Sequence, residues 1–332
     1  MIYQWLVVNV YCEKVCMKSV IDGVKSAGAP LYKAFRERVA SEAPELPLAL
    51  EFSVAVYRFG HSMVRASYDH NRNFGRPDGG DGDRRASFRE LFAFTGGNGN
   101  GEEITGTSFD RLPSNWPVEW ERFVHDDPHH GDHRARNIDT KLAPPLSDMF
   151  KESDDAGELG RILRNLAERN LRRSHRLNLP TGQGAVDAIN AFDKAEEPES
   201  GWVEASVHKV KYTCDGPDVP EPGDQTDGIA PVPGSALGEG AAGDALEQGG
   251  MLDATPLWFY VLREAEVTEG DTLGPLGSRI VAEQLVGLVI GDTQSFWHEG
   301  SGDGGWSPSE MPVGGAAITD MASVMRASGL IA

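Results

Sequence analysis

The chain has 332 residues, with 31 Lys plus Arg against 51 Asp plus Glu and a formal net charge of −20. So acidic a chain excludes nucleic acid as an expected partner, because phosphate binding needs clustered cations. Three cysteines exclude a disulfide framework, and the lack of any run of 18 apolar residues excludes a membrane-spanning helix.

Trp5, Leu6, Val10, Cys16 and Val20 fall near helical spacing and predict a first helix over residues 2–25. Cys12 and Cys16 lie one turn apart, but no second cysteine pair follows to complete a thiolate zinc site. The chain opens directly in apolar sequence, without a basic lead or a small-residue cleavage site, so no secretory signal is expected. A cytoplasmic setting is the default, and the abrupt start suggests that a segment precedes Met1. Gly28-Ala-Pro30 ends the first helix, and a short helix covers Leu31–Ser41.

A longer helix is expected from about Ala49 to His70. Phe52, Val56, Phe59 and Met63 form one apolar ridge, and Val54, Arg58, His61 and Arg65 a second. Arg58 and His61 therefore point the same way. Residues 86–95 suggest a short helix or strand, ending in the turn-rich Gly96–Gly101. Asn115–Val124 reads as a short helix with two tryptophans, and Ile138–Met149 as extended and broken by proline. A basic amphipathic helix follows at 158–173. Residues 196–250 are rich in Gly, Pro, Asp and Glu, with no Lys or Arg between Lys211 and Arg263, and read mostly as an acidic surface loop. A proline-started helix follows Thr255. The last long helix spans Leu273–Thr293 with Ile280, Leu285 and Leu288 on one face, and a short one covers Ile318–Arg326. The class is mainly α.

His61 is either a core histidine bonded to a carbonyl or a metal ligand. A haem ligand needs a neutral imidazole whose second nitrogen is hydrogen-bonded, cations for two propionates and apolar walls. Arg58, Phe52 and Phe59 supply candidates for the last two requirements; nothing local supplies the imidazole's partner.

Arg58-Phe59-Gly60-His61-Ser62 resembles the proximal-helix pattern Arg-Phe/Tyr-Gly-His-Ser/Thr of the animal-type haem peroxidases and their bacterial relatives. Asn170-Leu-Arg-Arg173-Ser-His-Arg176-Leu-Asn-Leu-Pro180-Thr-Gly-Gln183 is similar to a second family segment, with Ser174 in place of the family's glycine. Tyr3–Val8, Arg111–Trp116, Ile138–Pro145, Thr255–Glu266 and Gly277–Glu283 also match, in order, so the resemblance covers nearly all the chain outside 196–250. It implies that His61 is the proximal iron ligand, that Asn170 accepts the hydrogen bond from its other ring nitrogen, and that Arg58 and Arg173 lie at the haem propionates. Arg58 stands three residues before His61, where the cyclooxygenase branch carries its tyrosine, so the peroxidase branch is the nearer likeness.

The resemblance implies a mainly α, haem-peroxidase-like helical fold, truncated at the N-terminus and carrying long irregular loops. It would form a single domain over 1–332, with proximal haem-binding helices in 1–195, an acidic loop insertion in 196–250 and C-terminal helices in 251–332. The implied cofactor is haem b. It would be held non-covalently, since the family's ester-forming carboxylates have no match here. The family's calcium site, distal histidine and distal arginine have none either. The implied activity is that of an oxidoreductase, oxidising small donors with hydrogen peroxide in a response to oxidative stress, if a distal half comes from elsewhere. The alternative is an inert haem-binding remnant. A pocket missing one wall would favour self-association.

His125–His133 holds four histidines and three aspartates and offers a weaker alternative, a histidine-loop metal site. Pro128 and Gly131 break any helix that would space those ligands.

Overall fold

The computed structural model describes residues 1–40, 46–75, 85–95, 113–124, 135–149, 152–153, 155–195, 228–299, 305–308 and 317–331. The Gly96–Gly101 turn and the His125–His133 cluster lie outside them. The described residues are mainly helical, with one two-stranded sheet. None of their helices is long and apolar enough to cross a membrane. The chain divides into two compact units, Met1–Ser62 with Asn137–Thr140 and Asn170–Glu310, and Met63–Arg136 with Lys141–Arg169 and Met311–Ala332.

The first unit is built on the helix Pro275–Gly291. It packs against Lys18–Ala27, Pro30–Val39 and Leu257–Val267. This helix is buried on nearly every side, which suits its lack of a polar face. Ile280, Leu285 and Leu288, expected to form its core face, are only half-buried. Arg279, Glu283 and Gln284 point into the core instead, which is possible because each is paired. Arg279 Nε donates to Glu283 Oε1 at 2.8 Å, and its two terminal nitrogens fork onto Asp193 at 3.1 Å each. The Tyr32 amide donates to the other Glu283 oxygen at 3.2 Å. Gln284 accepts from the Ala49 amide and donates to the Pro47 carbonyl.

The N-terminus of the same helix is capped from outside. Its N-cap, Gly274, has no side chain to offer, so Glu264 of Leu257–Val267 accepts from the amides of Leu276 and Gly277, both at 3.1 Å. A Cβ on Gly274 would collide with that carboxyl group. Burial pushes Glu264 up to about 7, while the two amide donors pull it down.

The first predicted helix is not continuous. Ile2–Leu6 runs through a π-helical turn, Val7–Tyr11, into Cys12–Val15, and the chain breaks at Cys16, φ −108° and ψ 154°, before Lys18–Ala27. The break gives the Met17 amide to Ser278 Oγ at 2.9 Å and the Leu273 amide to the Val15 carbonyl, ties that helical periodicity cannot reveal. Cys12 and Cys16 are buried free thiols; burial pushes Cys12 up to about 12 and Cys16 well above the usual thiol range.

The stretch read as acidic loop over 196–250 is corrected in its described part. Residues 228–250 carry the helices Gly234–Leu237 and Gly240–Gln248. Ile229, Val232, Leu237 and Leu246 supply enough apolar surface to dock them, and all four are buried. Arg263 ties the segment down, donating to the Ala236 carbonyl at 2.7 Å and pairing with Glu239 at 3.0 Å.

In the second unit the expected long helix ends early, at Met63, because Ser67–Tyr68 pairs antiparallel with Ala86–Ser87. Phe88–Thr95 follows as a helix. Asn115–Val124 is not the expected helix: Pro117 interrupts it, and only Trp120–Arg122 makes a 3-10 turn. Trp116 is buried against His70, Phe74 and Phe94. The amphipathic helix expected at 158–173 breaks into Glu158–Arg164 and Leu166–Arg176. Asn165 makes the break, its side chain accepting from the Glu168 amide at 3.0 Å.

Candidate functional site

The residues before His61 change helical type twice. Glu51–Ala55 is a π-turn, Val56–Phe59 a 3-10 turn, and Gly60–Met63 an α-turn. Tightening to three residues per turn brings side chains at i and i+3 nearly into line. Arg58 lies in the 3-10 turn and His61 in the α-turn that follows it, and the two side chains reach one common partner.

That partner is Asn170, contributed by Leu166–Arg176 and only 1% exposed. Arg58 Nη1 donates to Asn170 Oδ1 at 3.2 Å, and Asn170 Nδ2 lies 3.1 Å from His61 Nδ1. Among the described residues His61 Nε2 has no hydrogen-bond partner, and His61 is partly exposed. A Cβ added to Gly60 would meet nothing within 4 Å. Burial, and then the positive charge of Arg58, push His61 down to about 4. Its imidazole is neutral at pH 7, as a metal ligand must be.

Two supports were not foreseen. Trp258 Nε1 donates to the Arg58 carbonyl at 3.3 Å, and its ring stands edge-on to His61, with centroids 6.5 Å apart. Nothing in the pattern of Leu257–Val267 marks that tryptophan from its apolar neighbours. Ser174 is buried, and its hydroxyl donates to the Asn170 carbonyl at 3.0 Å. A serine is thus accommodated where the resembling family has glycine.

Arg173, Phe52 and Phe59 stand apart from this cluster. Arg173 is exposed and makes no hydrogen bond or ion pair with a described residue, so the structure does not bring it to the other three. Phe52 and Phe59 are buried in the core, with Tyr57 stacked on Phe52 at 4.5 Å, and offer no wall to an open space. The other described histidines do different work or none. His70 is bonded through Nε2 to the Trp116 carbonyl, His298 to that of Ile290, and His175 is exposed.

Comparison of the chain with protein-family models, with curated proteins and with solved structures finds no match. The site's chemistry therefore rests on its own geometry. Among the described residues, no group of three or more His, Cys, Asp or Glu could hold a metal ion. His61 offers a single neutral imidazole, its Nδ1 held by Asn170 and its Nε2 without a hydrogen-bond partner among the described residues.

Proposed function

We propose that the chain binds haem b non-covalently, with His61 the residue that would hold its iron, in the manner of the animal-type haem peroxidases that its motifs resemble. The convergence of Arg58 and His61 on Asn170, 112 and 109 residues away in sequence, carries this reading. Asn170 holds the ring at Nδ1, the low proton affinity of His61 keeps the imidazole neutral, and Nε2 has no hydrogen-bond partner among the described residues. Arg58, a donor-only planar cation, is the group suited to a haem propionate. Haem, when bound, supplies iron for peroxide chemistry. Cleaving peroxide also needs a base and a cation facing the iron. No residue here is assigned either part, so the proposal is haem binding, with peroxidase turnover dependent on groups yet to be identified.

Titration of the protein with hemin tests the reading. A saturable Soret band with a histidine-ligated spectrum is expected at one haem per chain. His61→Ala should lose that spectrum, and Asn170→Leu should weaken binding about 10- to 100-fold, the usual effect of removing a ligand's orienting partner. Equal uptake by wild type and His61→Ala would mean that haem merely sticks to the surface, and would overturn the assignment.

A further inference from the structure

The Asn170 amide has one oxygen and one NH2 group, and its two neighbours compete for the same end. Arg58 is a donor only, so the amide atom that faces it must be the oxygen. The NH2 is then turned to His61 Nδ1, which must accept. A neutral imidazole that accepts at Nδ1 carries its proton on Nε2, and a protonated Nε2 has no lone pair to give to a metal. As long as Arg58 holds the amide, the constellation that orients His61 also blocks it.

We propose that Arg58 is a positioning residue that sets the His61 tautomer, so that the site ligates metal only when an anionic group on the ligand draws Arg58 off Asn170. The inference rests on the haem reading for the identity of that ligand: a metal macrocycle bearing carboxylates. When a carboxylate engages Arg58, the amide is free to turn over. Its oxygen then faces the ring and accepts from Nδ1–H. One proton leaves Nε2 and one is taken up at Nδ1, so the ring stays neutral and the lone pair moves to the open side. Three facts make the two states available. Asn170 is buried, so few alternatives to these two neighbours exist for its amide. The carbonyl of Arg58 stays anchored by Trp258 while its side chain moves. His61 is partly exposed, and its Nε2 has no hydrogen-bond partner among the described residues. The arrangement selects among iron macrocycles: one whose acid groups are masked meets a blocked ligand.

The test reads the tautomer directly, by long-range 1H–15N correlation of the imidazole in protein without haem. Wild type should show a pyridine-like Nδ1 and a protonated Nε2. Asn170→Asp, whose carboxylate can accept from Arg58 and from the ring together, should show the reverse. Arg58→Met should shift the population toward Nδ1–H, while Arg58→Lys, which keeps a donor, should shift it less. The affinity for haem dimethyl ester supplies a second readout. A plain ion pair between Arg58 and a propionate predicts no gain for the ester on removing Arg58. The tautomer device predicts that Arg58→Met binds the ester more tightly than wild type, by about fivefold, the net worth of one hydrogen bond. Nδ1–H in the wild-type protein, or an unchanged tautomer and ester affinity in a folded Arg58→Met, would overturn the proposal. Because the tautomer is measured without haem, its failure is separate from a failure of the protein to bind haem.

Discussion

Arg279→Met should cost the fold about 3–5 kcal/mol, the usual effect of removing one member of a buried ion pair and leaving the rest uncompensated. Arg279 is 0% exposed, and its five-donor fork is divided between Asp193 of Gly182–Lys194 and Glu283 on its own helix. Methionine fills much of the same volume, so the loss reports charge rather than a cavity. With the guanidinium gone, Glu283, which burial already pushes up to about 7, loses the cation that lowers it and is pushed further up. Stability is then present at low pH, where Glu283 is protonated, and is lost as pH rises. Chemical denaturation at pH 5 and pH 8 checks the sign: the deficit of Arg279→Met relative to wild type should widen at pH 8. Adding Asp193→Asn and Glu283→Gln should recover part of the loss. A deficit under 1 kcal/mol at both values would show that the triad is hydrated and not structural.

Glu264→Gln should flatten a specific part of the pH profile. The Glu264 carboxyl titrates near the usual 4.5 in the unfolded chain and is pushed up to about 7 by burial in the folded one. Between those values the folded state binds the proton and the unfolded state does not, so wild-type stability falls as pH rises and levels off above about 7. The span corresponds to about 3 kcal/mol. The glutamine variant has no proton to lose, so subtracting its profile from that of wild type should leave a decline confined to this window. Burial pushes Glu283 in the same direction, but it is present in both proteins and cancels. A difference profile that is flat, or that rises with pH, would mean that the Leu276 and Gly277 amides hold Glu264 ionised.

The helical class was legible because long apolar periodicities at Leu257–Val267 and Pro275–Gly291 survive any error in their ends. Their orientation was not. Arg279 and Glu283, spaced four apart, look the same on a solvated face as in a buried network, and only the third member, Asp193, decides between the two. Residues 228–250 misled by composition: glycine and acidic residues signal loop, yet Leu237 and Leu246 suffice to dock two short helices. At the site, Arg58 and His61 were legible as neighbours from their spacing of three. Asn170 came only from the motif resemblance, since a polar residue on a basic helix carries no local sign of its partner. Trp258 and the direction of Arg173 depend on how separate segments pack, which no local pattern encodes.

The 3-10 turn at Val56–Phe59 also turns sequence spacing into an angular gauge. Across this turn and the α-turn Gly60–Met63 that follows, each residue advances the chain by about 100–120°, so three steps from Arg58 bring His61 back near the same phase. The number of residues between Arg58 and His61 is therefore fixed. A single residue inserted between Arg58 and His61 would swing the imidazole about a third of a revolution away from Asn170. Such a protein would keep every side chain of the constellation and still lose its alignment, a lesion that comparison of residue identities alone would pass as harmless.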